Sequence, residues 1–216
     1  MTLKTTIYCH SPSDKIRVSQ YMKSQRYSQI VDLTGVELEL TDARLGTKMF
    51  DYVVAPGNSI GEMTGGFDLG LVDAFGELIQ HNVTEIITYK HQGELNVGAA
   101  EVVATGSDAI PHCVYAPTMR TPRTLEPDTD VPYVATRAAV IAMMNHGLQG
   151  AWGVELTASV LIPLMGVGTG GVYAKQSACQ IHLAVGSFSF ASRIRAENLR
   201  QASGLDRMIR DKTWLQ

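Results

Sequence analysis

Glycine is unevenly distributed along this sequence. Gly57, Gly61, Gly65 and Gly66 fall in one ten-residue stretch, and Gly166, Gly168, Gly170 and Gly171 in another of six. Each cluster follows an apolar, strand-like run, at 52–55 and 159–165, and precedes a segment of helical character. Residues without a Cβ let the backbone approach a ligand closely, and the N–H groups that open a helix, aided by its dipole, are suited to hold phosphate. Glycine also turns the chain at strand ends, so either loop alone is equally well a structural turn. Two such loops imply two phosphates, or one pyrophosphate held from both sides. In open α/β sheets ligands lie beyond the carboxyl ends of the strands, where both loops sit if their strands are parallel neighbours. A nucleotide cleft follows.

The remaining patterning is that of an α/β chain. Strand-length apolar runs are expected at 5–9, 29–33, 36–40, 52–55, 85–89, 101–104, 113–116 and 159–165, with helices at 13–25, 68–80, 132–148, 172–188 and about 196–215. The 132–148 helix is read with Val134, Ala138, Ile141 and Met144 or Leu148 on its apolar stripe and Gly147 at its end. Before it, 118–131 carries Pro122, Pro127, Asp128 and Asp130 without periodicity, which reads as a surface loop.

Composition narrows the function class. The 216 residues carry 18 Lys and Arg against 21 Asp and Glu, a formal charge of −3, so no footprint of duplex binding or of a membrane surface is present and nucleic acid is not indicated. The longest purely apolar run, 138–144, is far below the roughly 18 residues of a membrane span. With no secretory pattern at the start, the expected location is cytoplasmic. Cys9, Cys113 and Cys179 stand far apart without a CxxC pair and read as buried free thiols.

Other chemistries are weakly supported. Gly166, Gly168 and Gly171 match G-x-G-x-x-G, but no strand ending in an acidic residue follows about 20 residues on, as a dinucleotide-binding fingerprint requires. Neither loop continues into the Gly-Lys-Ser or Gly-Lys-Thr of a Walker A loop. The six histidines show no H-x-x-x-H pair, so no metal and no cofactor are expected. Lys90 and His91, after the strand expected at 85–89, read as a solvated strand end.

Laid out this way, the chain resembles the macro domain family, whose members bind ADP-ribose and in several branches hydrolyse ADP-ribosyl bonds. Val53-Val54-Ala55-Pro56-Gly57-Asn58-Ser59, continuing through Gly65-Gly66-Phe67-Asp68, is similar to the family's strand, asparagine and glycine-rich loop. Ile162-Pro163-Leu164-Met165-Gly166-Val167-Gly168-Thr169-Gly170 is similar to its second loop. Asn96 to Val102 and Pro111 to Pro117 resemble the paired middle strands. The variant here looks closer to phage and bacterial macro-like proteins.

The resemblance implies a three-layer α/β/α fold with a mixed, mostly parallel central sheet. It also implies one macro-like domain over 1–216, with its core at about 40–190, an N-terminal edge extension at about 1–35 and a C-terminal helix at about 196–215. The partner implied is ADP-ribose or an ADP-ribosylated substrate. Gly166, Val167, Gly168, Thr169, Gly170 and Gly171 would wrap the diphosphate, with Asn58, Gly65 and Gly66 at the distal ribose. An amide suits Asn58's position because it donates and accepts at once. Asp68 matches the acidic residue that positions or activates water, although a carboxylate in a first helical turn is favourable in itself. Asp42 corresponds to the adenine contact, with Asp32 competing by local likeness, and Tyr173 is a candidate for stacking on ribose or adenine.

Two departures bear on turnover. Ala55 stands where the family often has an asparagine, and Leu71-Val72-Asp73 replaces a common histidine-arginine pair. ADP-ribosyl hydrolysis is the leading expectation, and a non-catalytic reader or sequestering protein, which shares every binding residue, is the alternative.

Overall fold

A computed structural model describes residues 2–24, 31–32, 49–147, 157–186 and 207. The strand expected at 36–40, Asp42 and, apart from Arg207, the helix expected at 196–215 lie outside these residues. The chain runs β1 (Thr2–Tyr8), α1 (Pro12–Ser24), β2 (Val31–Asp32), β3 (Tyr52–Ala55), α2 (Gly66–Phe75), α3 (Glu77–His91), β4 (Glu101–Ala104), β5 (His112–Tyr115), α4 (Val131–Gly147), β6 (Thr157–Pro163) and α5 (Ala174–Gly186).

One six-stranded sheet has the order β2-β1-β6-β3-β5-β4. Every neighbouring pair is parallel except the β4–β5 pair at one edge. Successive side chains of a strand point to opposite faces, and both faces here are covered, so the strands read as continuous apolar runs rather than alternating ones. Val54, Val114 and Ile162 pack against α1, α4 and α5, while their neighbours Val53, Cys113 and Leu161 pack against α2 and α3. This is a three-layer α/β/α arrangement.

The N-terminal segment forms one flank of the sheet. β1 pairs with β6 along its whole length, from Thr2 opposite Thr157 to Tyr8 opposite Pro163, and β2 lies outside it. β1 therefore ends level with β6, which brings its loop to the same end of the sheet as the glycine clusters.

Four expectations are corrected. The run at 85–89 is not a strand but the second half of α3. Its β-branched residues suggested extension, yet Ile79, Val83 and Ile87 recur at helical spacing and are fully buried on one stripe, so tertiary packing decides. The helix expected at 68–80 is two helices, broken at Gly76, whose φ of +84° is readily adopted only by glycine. On α4 the buried residues are Pro132, Ala135, Thr136, Ala138, Ala139, Val140 and Met143, so Ala138 lies inward as expected while Ile141 is 40% exposed, off the stripe that the sequence suggested. Cys113 and Cys179 are buried free thiols as expected, whereas Cys9, just after β1, is only half-buried.

Candidate functional site

Both glycine loops open on one cleft of about 490 Å³ beyond the carboxyl ends of the parallel strands. Their strands are adjacent and parallel, with Tyr52 opposite Val160 and Val53 opposite Leu161. Asn58, Gly65, Gly66 and Asp68 line the cleft from the first loop, and Gly166, Val167, Gly168, Thr169 and Gly170 from the second. Gly171, with φ of +70°, turns the chain behind the loop, and Tyr173 is 61% exposed and lies outside the lining. Asp32 sits in the edge strand β2.

The first loop is built around Asn58. Its Oδ1 accepts the N–H groups of Ile60 at 3.0 Å, Gly61 at 3.1 Å and Glu62 at 3.4 Å, while its Nδ2 donates to the Glu62 carbonyl at 3.0 Å. Most of this amide's bonding capacity shapes the loop, which leaves one Nδ2 hydrogen for a ligand. Beneath it, the Tyr115 hydroxyl accepts the Asn58 N–H at 3.1 Å and donates to the Asn58 carbonyl at 2.9 Å. A Cβ on Gly57 would overlap the Tyr115 phenol, which accounts for that glycine.

The loop ends at α2, where no side chain caps the helix and Gly65 is the extended N-cap residue. The opening N–H groups of a helix have no partner inside it. Asp68, in this first turn, is 7% exposed, and its Oδ1 has no hydrogen-bond partner among the described residues. Burial pushes its carboxyl pKa up to about 7.

The second loop is held open from outside. The N–H groups of Val167, Gly168, Thr169 and Gly170 make no hydrogen bond among the described residues, whereas Gly171 N–H donates to Gly168 O and Val172 N–H to Gly166 O, each at 3.1 Å. The segment expected as a surface loop braces this turn. Leu125 N–H donates to Gly170 O at 2.9 Å, and the Leu125 side chain packs beside Gly166 and Gly170. Two glutamines one turn apart on α5 fasten the brace: Gln176 Nε2 donates to the carbonyls of Pro127 and Thr129, and Gln180 Nε2 to Thr129. Loop, brace and helix thus form one unit, in which 167–170 line the cleft with N–H groups that make no bond among the described residues.

Several lining residues lie outside the motifs. Tyr8, His10 and Asp14 come from the end of β1 and the start of α1, and Thr118, Met119 and Pro122 from the loop after β5. Tyr8 packs against Phe67 with ring centroids 5.3 Å apart, joining the N-terminal flank to the first glycine loop. The available signal was a third strand, short loop and helix start, in which Ser11 Oγ accepts the Asp14 N–H at 3.1 Å as a helix cap. Lys90 and His91 end α3 instead of a strand and bind Glu101, at 2.8 Å and 2.7 Å, away from the cleft lining.

The family model for the macro domain matches residues 54–181. Among solved structures, the chain is similar to the macrodomain of Oceanobacillus iheyensis with ADP, at 14% identity and a TM-score of 0.53, covering 68% of this chain and 71% of that one. It is also similar to a point mutant of that macrodomain with ADPR, at 13% identity and a TM-score of 0.53, covering 66% and 72%. The macrodomain of Mycobacterium tuberculosis DarG shares 20% identity at a TM-score of 0.49, covering 63% and 80%. No curated protein sequence matches the chain. At these identities the two Oceanobacillus iheyensis likenesses bear on the fold alone.

Proposed function

Because this chain belongs to the macro domain family, we propose that it binds ADP-ribose in the cleft and hydrolyses the bond joining ADP-ribose to a second group. The observation that carries this reading is the convergence of two sets of backbone N–H groups, unpaired among the described residues, on one cleft that also holds a buried carboxyl whose Oδ1 has no partner there. Such donors bind a diphosphate through partial charges that are fixed before the ligand arrives. The structural neighbours that carry ADP or ADPR agree with a ligand of this kind.

In this reading the diphosphate lies on the N–H groups of 167–170, and the distal ribose lies against Gly65, Gly66 and the remaining Nδ2 hydrogen of Asn58. Asp42 would contact the adenine. Asp68 holds a water beside the anomeric carbon. The water oxygen bonds to that carbon as the bond to the leaving group breaks, and the water's proton passes to the Asp68 carboxylate and on to the leaving atom. The products are ADP-ribose and the protonated leaving group, with no redox change.

A non-catalytic reader is favoured by one observation. Ala55 stands where the family often has an asparagine, and Leu71-Val72-Asp73 replaces its common histidine-arginine pair, changes that binding survives more readily than turnover does. Release of ADP-ribose from an ADP-ribosylated substrate separates the two. The proposal expects turnover by the full chain that falls at least 100-fold in Asp68→Ala with ADP-ribose affinity within about tenfold. Binding without turnover would identify a reader.

A further inference from the structure

Resting on this reading, the geometry points to a further assignment: Glu62 selects substrates whose ADP-ribose is joined to a cationic nitrogen base, and a guanidinium is the class that fits. The charges around the cleft are unusual for a site that receives a diphosphate. Its lining includes three acids, Asp14, Glu62 and Asp68, with His10 the only basic side chain among the described residues. No lysine or arginine of the described residues lines it. Arg120, on the neighbouring loop, is held by Glu94 in a two-bond fork, Nε to Oε1 at 2.8 Å and Nη2 to Oε2 at 2.9 Å.

Among the described residues the phosphates therefore meet backbone donors and no lysine or arginine, and the acids suit another part of the ligand. Asp14 is already engaged by the Ser11 hydroxyl at 2.8 Å, with Arg17 at 3.9 Å. Glu62 and Asp68 are different. The Glu62 carboxylate makes no hydrogen bond or ion pair among the described residues, and the Asp68 Oδ1 has no partner.

Both belong to the first loop, at the end assigned to the distal ribose and to whatever is joined to it. The Glu62 backbone is fixed, since the Asn58 side chain binds both its N–H and its carbonyl, while its side chain is exposed at the cleft. An accessible acceptor on a fixed backbone, lining the same cleft as a second, buried acceptor, suits a planar group with several N–H donors and a positive charge. A carboxylate or terminal phosphate in that position would meet two acids and, among the described residues, no lysine or arginine, an arrangement that opposes binding. Asp68 remains with the water, and Glu62 reads the leaving group.

The test is displacement of a fluorescent ADP-ribose analogue from the full chain and from Glu62→Gln, read before turnover. The probes are ADP-ribose, ADP-ribosylated agmatine, which carries a guanidinium linkage, and ADP-ribose 1″-phosphate. We expect the guanidinium-linked probe to bind at least as tightly as ADP-ribose and roughly ten times more tightly than the phosphate probe, with Glu62→Gln reducing that ratio to about threefold. If the phosphate probe binds as well as the guanidinium-linked one, or if Glu62→Gln leaves the ratio unchanged, the assignment is overturned while ADP-ribose binding still stands. If ADP-ribose fails to displace the analogue, the underlying nucleotide reading falls with it.

Discussion

The Tyr115 hydroxyl and the Asn58 backbone form a closed pair of hydrogen bonds, accepting the N–H at 3.1 Å and donating to the carbonyl at 2.9 Å. Tyr115 is fully buried at the end of β5, so the loop on β3 takes its position from a neighbouring strand. Burial raises the pKa of this phenol, followed by the charge of Asp68, so it stays a neutral donor. Tyr115→Phe removes both bonds and leaves the Asn58 N–H unpaired. A loss of about 1–3 kcal/mol in urea unfolding is expected, with weakened ADP-ribose binding. A variant with unchanged stability and affinity would show that the loop holds its shape alone.

Asp68 makes stability depend on pH in a predictable direction. Its carboxyl titrates near 7 in the fold against 3.8 in its ordinary state, so the stability associated with its protonated form is complete below 3.8 and is lost as pH rises through 7. This difference corresponds to about 4 kcal/mol. Asp68→Asn should match the wild type at pH 4 and exceed it in Tm at pH 8. Parallel melting curves across that range would contradict the burial of the carboxyl and its raised pKa.

The same ionisation shapes the expected rate. If Asp68 takes a proton from water, kcat/KM rises with pH and levels off above about 7, because only the carboxylate accepts. A profile that is flat between pH 5 and 8 would remove Asp68 from the proton transfer.

Two cleft glycines are not required by the protein's own packing. Gly65 has an extended φ of −154°, Gly168 is not left-handed, and a Cβ on either meets nothing within 4 Å. Their side of the cleft is open, as a closely approaching ligand requires. Gly65→Val and Gly168→Val should each stay within about 1 kcal/mol of wild-type stability yet lose at least tenfold in ADP-ribose affinity. Gly170→Ala should behave differently, since its Cβ would meet the Gly166 carbonyl oxygen and Leu125, and roughly 1–3 kcal/mol of stability should be lost. Unfolding of the valine variants, or normal binding by them, would contradict the assignment.

The sequence carried the sheet and the loops well because their signals are local. Runs such as Val53 to Ala55 and Leu161 to Ile162 are apolar on both faces, and the glycines sit where strands turn into helices. The second half of α3 was misread because Thr84, Ile86, Ile87 and Thr88 favour extension, and only packing on Ile79, Val83 and Ile87 reveals the helix. The contributions of Tyr8, His10 and Asp14 were hidden for another reason. They reach the cleft through the pairing of β1 with β6, a contact between residues more than 150 positions apart. The bracing of the second loop by Leu125, Gln176 and Gln180 is likewise a matter of tertiary contact, with no periodicity to announce it.

The most direct test of the central claim is a calorimetric titration of the chain with ADP-ribose, run beside ADP and AMP at fixed salt. The cleft predicts micromolar binding of ADP-ribose and at least tenfold weaker binding of the other two, because only ADP-ribose offers both a diphosphate and a distal ribose. Equal binding of ADP or AMP would contradict the distal-ribose assignment at Asn58, Gly65 and Gly66. Absence of binding by all three would return both glycine loops to the role of structural turns.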